Sequence, residues 1–336
     1  MNNDLVTIII PAYNEEKYIA DCLNSVIEFD YPNELLEIFV VDGMSTDNTR
    51  KIVKENFCSK YSNIKLFDNP NRTAPYAFNI GIENSNGEYI IIIGAHSAYS
   101  KDYISKLVEW HKKLDAYNIG GVMITDIRNK NKKTNAIEKV LSNKFGVGNA
   151  SFRTGVSEVK SVDTVAYGCY KKETFKRFGL FDVRLTRNQD IEFNKRIVNA
   201  GGKIYLVPNV ICRYFARETY KGIAKNNFDN GLWNIFTIYI SKNLSSLSIR
   251  HFIPLFFVLS IILPLLAALC FYPFVFLSFL SLILYLGVIF YISFKINNNE
   301  TGLLNLIWTF IVLHISYGMG SLMGVVRLPF IALNKK

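Results

Sequence analysis

Charge is nearly missing from the last quarter of the chain. From His251 to Lys336 the formal charges are Lys295, Glu300, Arg327, Lys335 and Lys336. The other residues there are mostly apolar and aromatic, which excludes an ordinary water-facing domain surface. The sequence therefore predicts a membrane domain over residues 236–336.

Three apolar segments divide this region, at about 252–270, 274–294 and 303–326. Each is near the ~20 residues that span a bilayer, so we expect about three hydrophobic helices. A transporter is excluded, because the region lacks internal repeats and most of the chain has the composition of a soluble domain.

Cysteine is sparse and unpatterned. The five cysteines form no C-x-x-C pair and no zinc spacing, which excludes a zinc domain and a disulfide-stapled fold. A reducing compartment is therefore expected. The first residues also lack the basic start and long apolar run of a signal peptide.

Positive charge exceeds negative charge by 10 at pH 7. Such a surface suits anionic partners, namely nucleotide diphosphates and lipid head groups. Nucleic acid is excluded as a partner, because no recognised binding motif accompanies the charge. The basic run RNKNKK at 128–133 is most simply a solvated loop, and contact with lipid phosphate is the alternative.

Buried strands alternate with helices in the first two thirds of the chain. Continuous apolar runs with no polar alternation are typical of strands covered on both faces. Their alternation with helical patterns predicts an α/β fold with parallel pairing. The predicted strands lie at Leu5–Ile10, Leu36–Val41, 90–93, 120–125 and 203–208.

Two helix starts are predicted from polar residues that follow these strands. Pro11 ends the first strand, and Asn14 then caps a helix whose first turn holds Glu15 and Glu16. Ser45 is the predicted cap of the helix after the second strand.

Six segments in order resemble family 2 glycosyltransferases. They are VTIIIPAYNEEKYIADCLNSV, IFVVDGMSTDNT, NIGIENSNGEYIIIIGAHSAYS, AIEKVLSNKFGVGNASFR, VDTVAYGCYKKETFKRFGLFD and RNQDIEFNKRIVNAGGKIYLVP. They are most similar to the succinoglycan-biosynthesis branch of bacterial exopolysaccharide enzymes. The resemblance implies the GT-A nucleotide-diphospho-sugar transferase fold, a mostly parallel mixed sheet with helices on both faces. It implies a catalytic domain at 1–235, with an interfacial helix from about 217.

The resemblance also implies a nucleoside pocket. Its expected members are Pro11, Ala12, Tyr13, Glu15, Asp42 and, as a lesser candidate, Asn79. A carboxylate at 42 can accept from a base imide N–H or a ribose hydroxyl. The alternatives are that Asp42 only caps a turn and that the Asn79 amide only bonds its own backbone.

The diphosphate position departs from the family pattern. Where the family has Asp-x-Asp, this chain has Gly94, Ala95 and His96. Imidazole binds Mn²⁺ or softer ions better than Mg²⁺. His96 is therefore expected either to ligate a divalent metal (Mg or Mn) or to donate a hydrogen bond to a phosphate.

Proton abstraction is assigned by resemblance to Asp190, as general base of an inverting transfer. Asn188 can cap the helix and leave Asp190 in its first turn, where the helix end favours an ionised carboxylate. Gln189 stands where the family often has Glu. The alternative is an acidic helix start that serves only the helix dipole.

A last segment, Tyr214–Trp233, lies where relatives close over the diphosphate. Arg217 and Trp233 keep the family pattern, while Asn226 or Asn227 stands where Gln is expected. That departure disfavours a processive synthase.

The sequence thus predicts a membrane-anchored glycosyltransferase that moves a sugar from a nucleotide-diphosphate donor to a lipid-linked glycan acceptor. The resemblance implies exopolysaccharide, capsule or related glycan synthesis at the bacterial inner (cytoplasmic) membrane, with the catalytic domain on the cytosolic side. The alternative is a catalytically impaired nucleotide-sugar-binding or assembly protein of the same pathway. Retention of an acid at Asp190 favours the enzyme.

Overall fold

The structure is a computed structural model that describes residues 4–95, 97–148 and 150–333. The chain forms two compact units. One, the sheet unit, is Met1–Ile124 with Ser151–Phe215, and the other, the helical unit, is Thr125–Ala150 with Ala216–Lys336. This division differs from the predicted boundary at residue 235, because 125–150 and 216–235 group with the hydrophobic helices.

A nine-stranded mixed sheet runs in the order β3-β2-β1-β4-β8-β6-β9-β5, with β7 beside β9. Strands β1 to β4 pair in parallel, whereas β4 with β8, β8 with β6, β5 with β9, and β7 with β9 are antiparallel. The strands are β1 (Val6–Ala12), β2 (Leu36–Asp42), β3 (Ile64–Asp68), β4 (Tyr89–Ile92), β5 (Ser97–Tyr99), β6 (Asn118–Asp126), β7 (Lys160–Ser161), β8 (Cys169–Lys171) and β9 (Ile204–Phe215).

The helices follow in chain order. They are α1 (Ile19–Ile27), α2 (Thr49–Ile52), α3 (Ala74–Asn84), α4 (Tyr103–Lys113), α5 (Lys132–Leu141), α6 (Lys144–Val147), α7 (Ser151–Thr154), α8 (Lys172–Phe178), α9 (Gln189–Asn199), α10 (Tyr220–Ser241), α11 (Ile253–Ala267), α12 (Val275–Ile296) and α13 (Leu303–Leu333). A π-helical stretch, Val53–Cys58, continues α2.

Helices cover both faces of the sheet. Ile8 and Ile10 of β1 belong to a buried cluster with residues of α1 and α4, whereas Ile9 belongs to a second cluster with residues of α3, α8 and α9. Successive side chains of a strand point to opposite faces, so a run of isoleucines serves both cores. The prediction of strands buried on both faces is confirmed.

Pro11 does not end the first strand, and that prediction is wrong. It lies inside β1 opposite Val41, and Ala12 continues the ladder opposite Asp42. On the other side of β1 the pairing with β4 stops at Ile9. Proline is tolerated there because that side of the strand has no ladder left to interrupt.

Both predicted helix caps are also wrong. Helix α1 begins at Ile19 with Tyr18 at its N-cap, and α2 begins at Thr49 with Asn48 at its N-cap. Asn14 has a left-handed backbone (φ 56°), and its N–H donates to the Ser45 hydroxyl over 2.8 Å. The Asn14 side chain in turn accepts from the Thr46 N–H over 2.8 Å, so both predicted caps bond to the backbone of the other loop, which competes with capping.

Within the part of the chain that the structure describes, the helical unit has two helices long and apolar enough to cross a membrane, Tyr272–Ile296 and Leu303–Phe330. The first predicted span is shorter than expected, since α11 has 15 residues. At 1.5 Å per residue it reaches about 22 Å, less than the ~30 Å hydrocarbon core. Ala136 and Val140 of α5 pack with Leu306 and Phe310 of α13, which explains why residues 125–150 belong to this unit.

Helix α10, which contains most of the predicted interfacial segment, packs closely on α13. A Cβ added at Gly231 would lie 2.0 Å from the Tyr317 carbonyl oxygen, and one at Gly320 would lie 2.0 Å from that of Phe228. These glycines let the two backbones approach where larger residues would clash.

Candidate functional site

The carboxyl ends of three parallel strands meet at one edge of the sheet. The register places Ala12 of β1 opposite Asp42 of β2, and Asp42 opposite Asp68 of β3. The N–H of Gly43 donates to the Ala12 carbonyl over 2.8 Å. Ligands of open α/β folds bind at this edge, and the predicted nucleoside residues Pro11, Ala12 and Asp42 lie there.

Asp42 is fully buried and its carboxylate is held by the fold. One oxygen, Oδ2, accepts from Arg50 Nη1 over 2.7 Å and from the Ser45 N–H over 2.9 Å. The other accepts from the Ser45 hydroxyl over 2.5 Å. The turn-capping alternative for Asp42 therefore has direct support, and its contact with a base stays a prediction.

Arg50 joins two strand ends. Its Nη2 donates to Asp68 Oδ1 over 2.7 Å, while its Nη1 donates to Asp42 Oδ2. Because Arg50 donates hydrogen bonds to these two carboxylates, its pKa is raised. The positive charge is thus fixed beside the loops that follow β2 and β3.

Tyr13 offers an exposed ring at the same edge, with 44% of its surface accessible. The ring lies beside Gly43, where an added Cβ would come within 3.2 Å of Tyr13 Cδ2. A nucleotide base can stack on such a ring, a contact worth about 1–3 kcal/mol. The neighbouring Glu15 is fixed through its N–H, which donates to Thr49 Oγ1 over 2.7 Å.

Asn79 has a structural role in this fold. Its Nδ2 donates to the Phe181 carbonyl over 2.9 Å, and its Oδ1 accepts from the Phe181 N–H over 3.0 Å. The side chain is buried on α3 and bonds a backbone 102 residues away, not its own. This geometry does not favour Asn79 as a donor-binding residue.

His96 lies outside the described residues, but its neighbours are fixed. The Tyr99 hydroxyl accepts from the Gly94 N–H over 2.9 Å, and the Ser97 hydroxyl donates to the Tyr167 hydroxyl over 2.8 Å. A Cβ added at Gly94 would lie 3.2 Å from the Tyr167 ring. The tyrosine thus crowds the place of the first carboxylate of an Asp-x-Asp pair.

Arg153 of α7 is a site candidate that sequence reasoning missed. Its guanidinium lies 5.3 Å from the centre of the Tyr214 ring, and Tyr214 pairs with Ser97 in the β5–β9 ladder. Burial lowers the pKa of Arg153, so its charge is poorly hydrated. The segment that contains it matched the family, but its proximity to Ser97 depends on Tyr214, 61 positions further along the chain.

Asp190 lies in the first turn of α9, as predicted. It is accessible to solvent, while the surrounding protein raises the pKa of its carboxyl by desolvation, partly offset by backbone hydrogen bonds. Asn188 occupies the N-cap position, but in a left-handed conformation (φ 60°) instead of the extended one typical of a capping side chain. Among the described residues, no basic side chain pairs with Asp190.

The other nearby acids, Glu192 and Asp163, form ion pairs with basic side chains. Glu192 is buried, and its Oε2 lies 2.5 Å from Arg196 Nη2. Asp163 Oδ2 lies 3.5 Å from Lys195 Nζ. Asp190 is therefore the acid of this region best able to accept a proton.

Arg217 and Trp233 belong to the helical unit. Arg217 is exposed just before α10, and the half-buried Trp233 makes an edge contact with Phe236, with 5.5 Å between ring centres. Their role over a diphosphate stays a prediction.

Comparison with known proteins decides the family. Residues 7–168 match the sequence profile described as Glycosyl transferase family 2. A protein of Methanococcus voltae, dolichyl N-acetyl-alpha-D-glucosaminyl phosphate 3-beta-D-2,3-diacetamido-2,3-dideoxy-beta-D-glucuronosyltransferase, is 34% identical over 235 residues, which are 68% of this chain and 72% of that protein. The chain belongs to glycosyltransferase family 2.

A second relative comes from the succinoglycan branch, at lower identity than the Methanococcus voltae protein. The succinoglycan biosynthesis protein ExoA of Rhizobium meliloti is 27% identical over 212 residues, which are 62% of this chain and 63% of ExoA. The chain is thus a glycosyltransferase, with polysaccharide-synthesis proteins among its relatives.

A solved structure supports the GT-A fold. The mannosyltransferase PcManGT from Pyrobaculum calidifontis, in complex with GDP-Man and Mn²⁺, superposes with a TM-score of 0.60 over 97% of this chain and 87% of that chain, at 16% sequence identity. The GT-A fold predicted for this glycosyltransferase is confirmed.

A divalent metal requires ligands that the described part of the sheet edge does not assemble. Within 4–95, 97–148 and 150–333, no three His, Cys, Asp or Glu side chains gather to hold an ion. Around the strand end after Gly94 the described polar groups are hydroxyls of Ser97, Tyr99 and Tyr167. Mg²⁺ prefers carboxylates, so these hydroxyls do not fit a carboxylate-bound ion.

Proposed function

We propose that this glycosyltransferase is membrane-anchored and inverting, and transfers a sugar from a nucleotide-diphosphate donor to a lipid-linked glycan acceptor. The observation that carries the proposal is Asp190, a solvent-accessible carboxyl in the first turn of α9 whose pKa is raised because the surrounding protein desolvates it. A general base takes a proton more effectively as its pKa approaches the working pH.

The proposed step is a single displacement. The acceptor hydroxyl gives its proton to Asp190, and its oxygen forms the new bond to the anomeric carbon. The bond between that carbon and the diphosphate breaks, and the nucleoside diphosphate leaves with the electron pair. Attack opposite to the leaving group inverts the anomeric centre.

Arg153 is proposed to stabilise the departing diphosphate. Its poorly hydrated charge lies against Tyr214, next to the strand that starts after residue 96. Positive groups placed where negative charge develops are often the largest contribution to catalysis. This assignment gives the leaving group a partner that does not depend on an Asp-x-Asp pair.

The lipid-linked acceptor and the anchor rest on two observations. The name of the Methanococcus voltae relative describes transfer onto dolichyl N-acetyl-glucosaminyl phosphate. The helices Tyr272–Ile296 and Leu303–Phe330 have the length and composition of membrane spans. We place the protein in the cytoplasmic membrane with the sheet unit in the cytosol, where nucleotide sugars are found, and its product in exopolysaccharide, capsule or a related glycan.

A divalent metal at the diphosphate is proposed from the position of His96 and from the Mn²⁺ in the mannosyltransferase structure. The direct test is calorimetry of nucleoside diphosphate binding with Mn²⁺, with Mg²⁺ and with EDTA, for the wild type and His96→Ala. Metal-dependent affinity in the wild type that His96→Ala removes supports the metal. Equal affinity in EDTA contradicts it.

A non-catalytic donor-binding protein is the second candidate, because Tyr167 crowds the place of the missing carboxylate at Gly94. Purified full-length protein in detergent should be given a panel of UDP- and GDP-sugars, with and without a polyprenyl-phosphate-linked acceptor sugar. Acceptor-dependent release of nucleoside diphosphate supports the enzyme. Donor binding without release, equal to that of Asp190→Asn, supports the second candidate.

A further inference from the structure

We propose that the helical unit binds the phosphate head group of an anionic membrane phospholipid in a groove between α6 and the end of α12. The inference rests on the membrane association proposed above, and it concerns a surface that takes no part in the proposed sugar transfer.

The groove has a volume of about 590 Å³ and is both basic and apolar. Two lysines and an asparagine supply its polar groups, and aliphatic and aromatic side chains supply the rest. Its lining residues are Asn143, Lys144, Phe145, Tyr291, Ile292, Lys295 and Ile296. A surface of this composition matches an amphiphile with a negative head and an apolar chain.

Lys295 is placed where a head group lies. It is the one charged residue in the candidate span Tyr272–Ile296, and it precedes the last residue of that helix. Lysines near the ends of spanning helices extend toward the membrane surface. The exposed Tyr291, one turn earlier, is typical of the aromatic residues found at that level.

Lys144 brings a second positive charge to the same groove from α6. Both lysine side chains are exposed, and among the described residues neither pairs with a carboxylate. Two ammonium groups that line one groove repel each other, and an anion between them would turn that repulsion into attraction. A neutral ligand would leave the repulsion in place.

The loop that presents Lys144 is held firmly. The Asn143 side chain accepts from the Phe145 N–H over 2.8 Å. His314 Nε2 lies 2.9 Å from the Phe145 carbonyl oxygen, and its Nδ1 lies 3.0 Å from the Tyr285 hydroxyl. The groove is therefore preformed, which reduces the entropy cost of binding.

The apolar wall favours a lipid over a free anion. Phe145, Ile292 and Ile296 line the groove beside the lysines, and inorganic phosphate would leave that wall without a partner. A phospholipid satisfies both parts, since its acyl chain covers the wall while its phosphate meets the two charges.

The test uses full-length protein in nanodiscs of phosphatidylcholine with a minor fraction of phosphatidylglycerol. Native mass spectrometry of the released protein measures which lipid is retained. The variant Lys144→Gln/Lys295→Gln removes both charges, and Lys139→Gln is the matched control, because it changes an exposed lysine of α5 outside the groove.

The wild type and Lys139→Gln should retain phosphatidylglycerol preferentially, and the double variant should lose that preference on the order of tenfold or more, as expected for two lysines near a lipid surface. Equal retention by the double variant and the control would overturn the proposal. Displacement of the lipid by millimolar inorganic phosphate would overturn it too, since that result indicates a plain anion site.

The outcome separates this site from the proposed enzyme. A wild-type protein that transfers sugar but retains no phospholipid preferentially defeats the lipid site alone. Lipid preference without sugar transfer defeats the proposed function and supports the lipid site. A protein that fails to float with vesicles of any composition would overturn both the membrane anchor and this site.

Discussion

Asp42 and Arg50 form an ion pair at the carboxyl end of β2, with 2.7 Å between Oδ2 and Nη1. The carboxylate is fully enclosed, while the arginine side chain keeps 24% of its surface exposed. The accessible partner of this pair is thus the cation. A ligand at this edge of the sheet can reach Arg50 more easily than Asp42.

Asp42→Asn should lower the free energy of unfolding by about 1.5–3 kcal/mol, as for loss of hydrogen bonds to a charged group. Donor affinity should fall as well, because the loop after β2 loses its tie to Ser45 and Arg50. Arg50→Gln separates the two causes. If it reproduces the affinity loss in calorimetry, the donor depends on the loop or on Arg50 itself, whereas unchanged affinity would indicate direct contact between Asp42 and the nucleoside.

Asn79→Ala should cost about 1–3 kcal/mol of stability, because the buried N–H and carbonyl of Phe181 lose their partner. Nucleotide affinity should stay at the wild-type level. Asn84→Ala is the control, since that exposed amide sits on the same helix and bonds only the Ile80 carbonyl. A stable Asn79→Ala protein with weakened nucleotide binding would contradict the structural role and indicate that Asn79 binds the donor.

Asp190→Asn should reduce turnover by ~10²–10⁴ while leaving nucleotide binding intact, because an amide cannot take the acceptor proton. Asp163→Asn, which removes an acid already paired with Lys195, should keep most of the activity. In the wild type, the rate should decline on acidification through a pKa above the ordinary 3.8 of Asp. A turnover of Asp190→Asn close to the wild-type value would remove this residue from the mechanism.

The raised pKa of Asp190 also makes the stability of the fold depend on pH. Because the folded pKa of Asp190 is raised, the native state binds its proton more tightly than the unfolded state does. The contribution of this group to stability is therefore lost as pH rises from the unfolded pKa through the folded one. At pH 7 Asp190→Asn should be more stable than the wild type in thermal unfolding, and the difference should vanish in acid. An equal or lower melting temperature at pH 7 would contradict the desolvation of this carboxylate.

Arg153→Met should weaken nucleoside diphosphate binding on the order of tenfold or more, and nucleoside binding hardly at all, because a charge-assisted hydrogen bond is worth about 1.5–3 kcal/mol. The nucleoside diphosphate affinity of Arg153→Lys should lie between those of the wild type and Arg153→Met. Arg177→Met is the matched control, since the Arg177 guanidinium also stacks on a tyrosine, 5.2 Å from the centre of the Tyr117 ring. Equal losses for diphosphate and nucleoside in Arg153→Met would indicate only a packing role.

Local patterns in the sequence predicted the centre of the sheet well. Strands β1, β2 and β4 are continuous apolar runs, and a residue such as Ile9 needs no distant partner to be recognised as buried. The strand β8, only three residues long, was not predicted, although it sits between β4 and β6. Its pairing depends on contacts far along the chain, which periodicity does not record.

In the candidate site, too, features encoded in a local pattern were predicted, and features that depend on distant contacts were not. Asp190 was found because its motif is local, and its place in the first turn of α9 is confirmed. The bonds that replaced the expected caps join residues 31 and 32 positions apart, Asn14 with Ser45 and Thr46. Arg153 is a site candidate because its guanidinium lies against the Tyr214 ring, and no pattern within its own segment contains that information.

The contact between His314 and Phe145 spans 169 positions of the chain. A ribosome therefore finishes α5 and α6 long before it makes the helix on which they pack. Until α13 emerges, Ala136 and Val140 lack the side chains of Leu306 and Phe310 that cover them, whereas the last strand of the sheet unit is complete at Phe215. The order of synthesis thus sets the order of assembly: the sheet unit can close during translation, and the helical unit closes only when the chain is nearly complete.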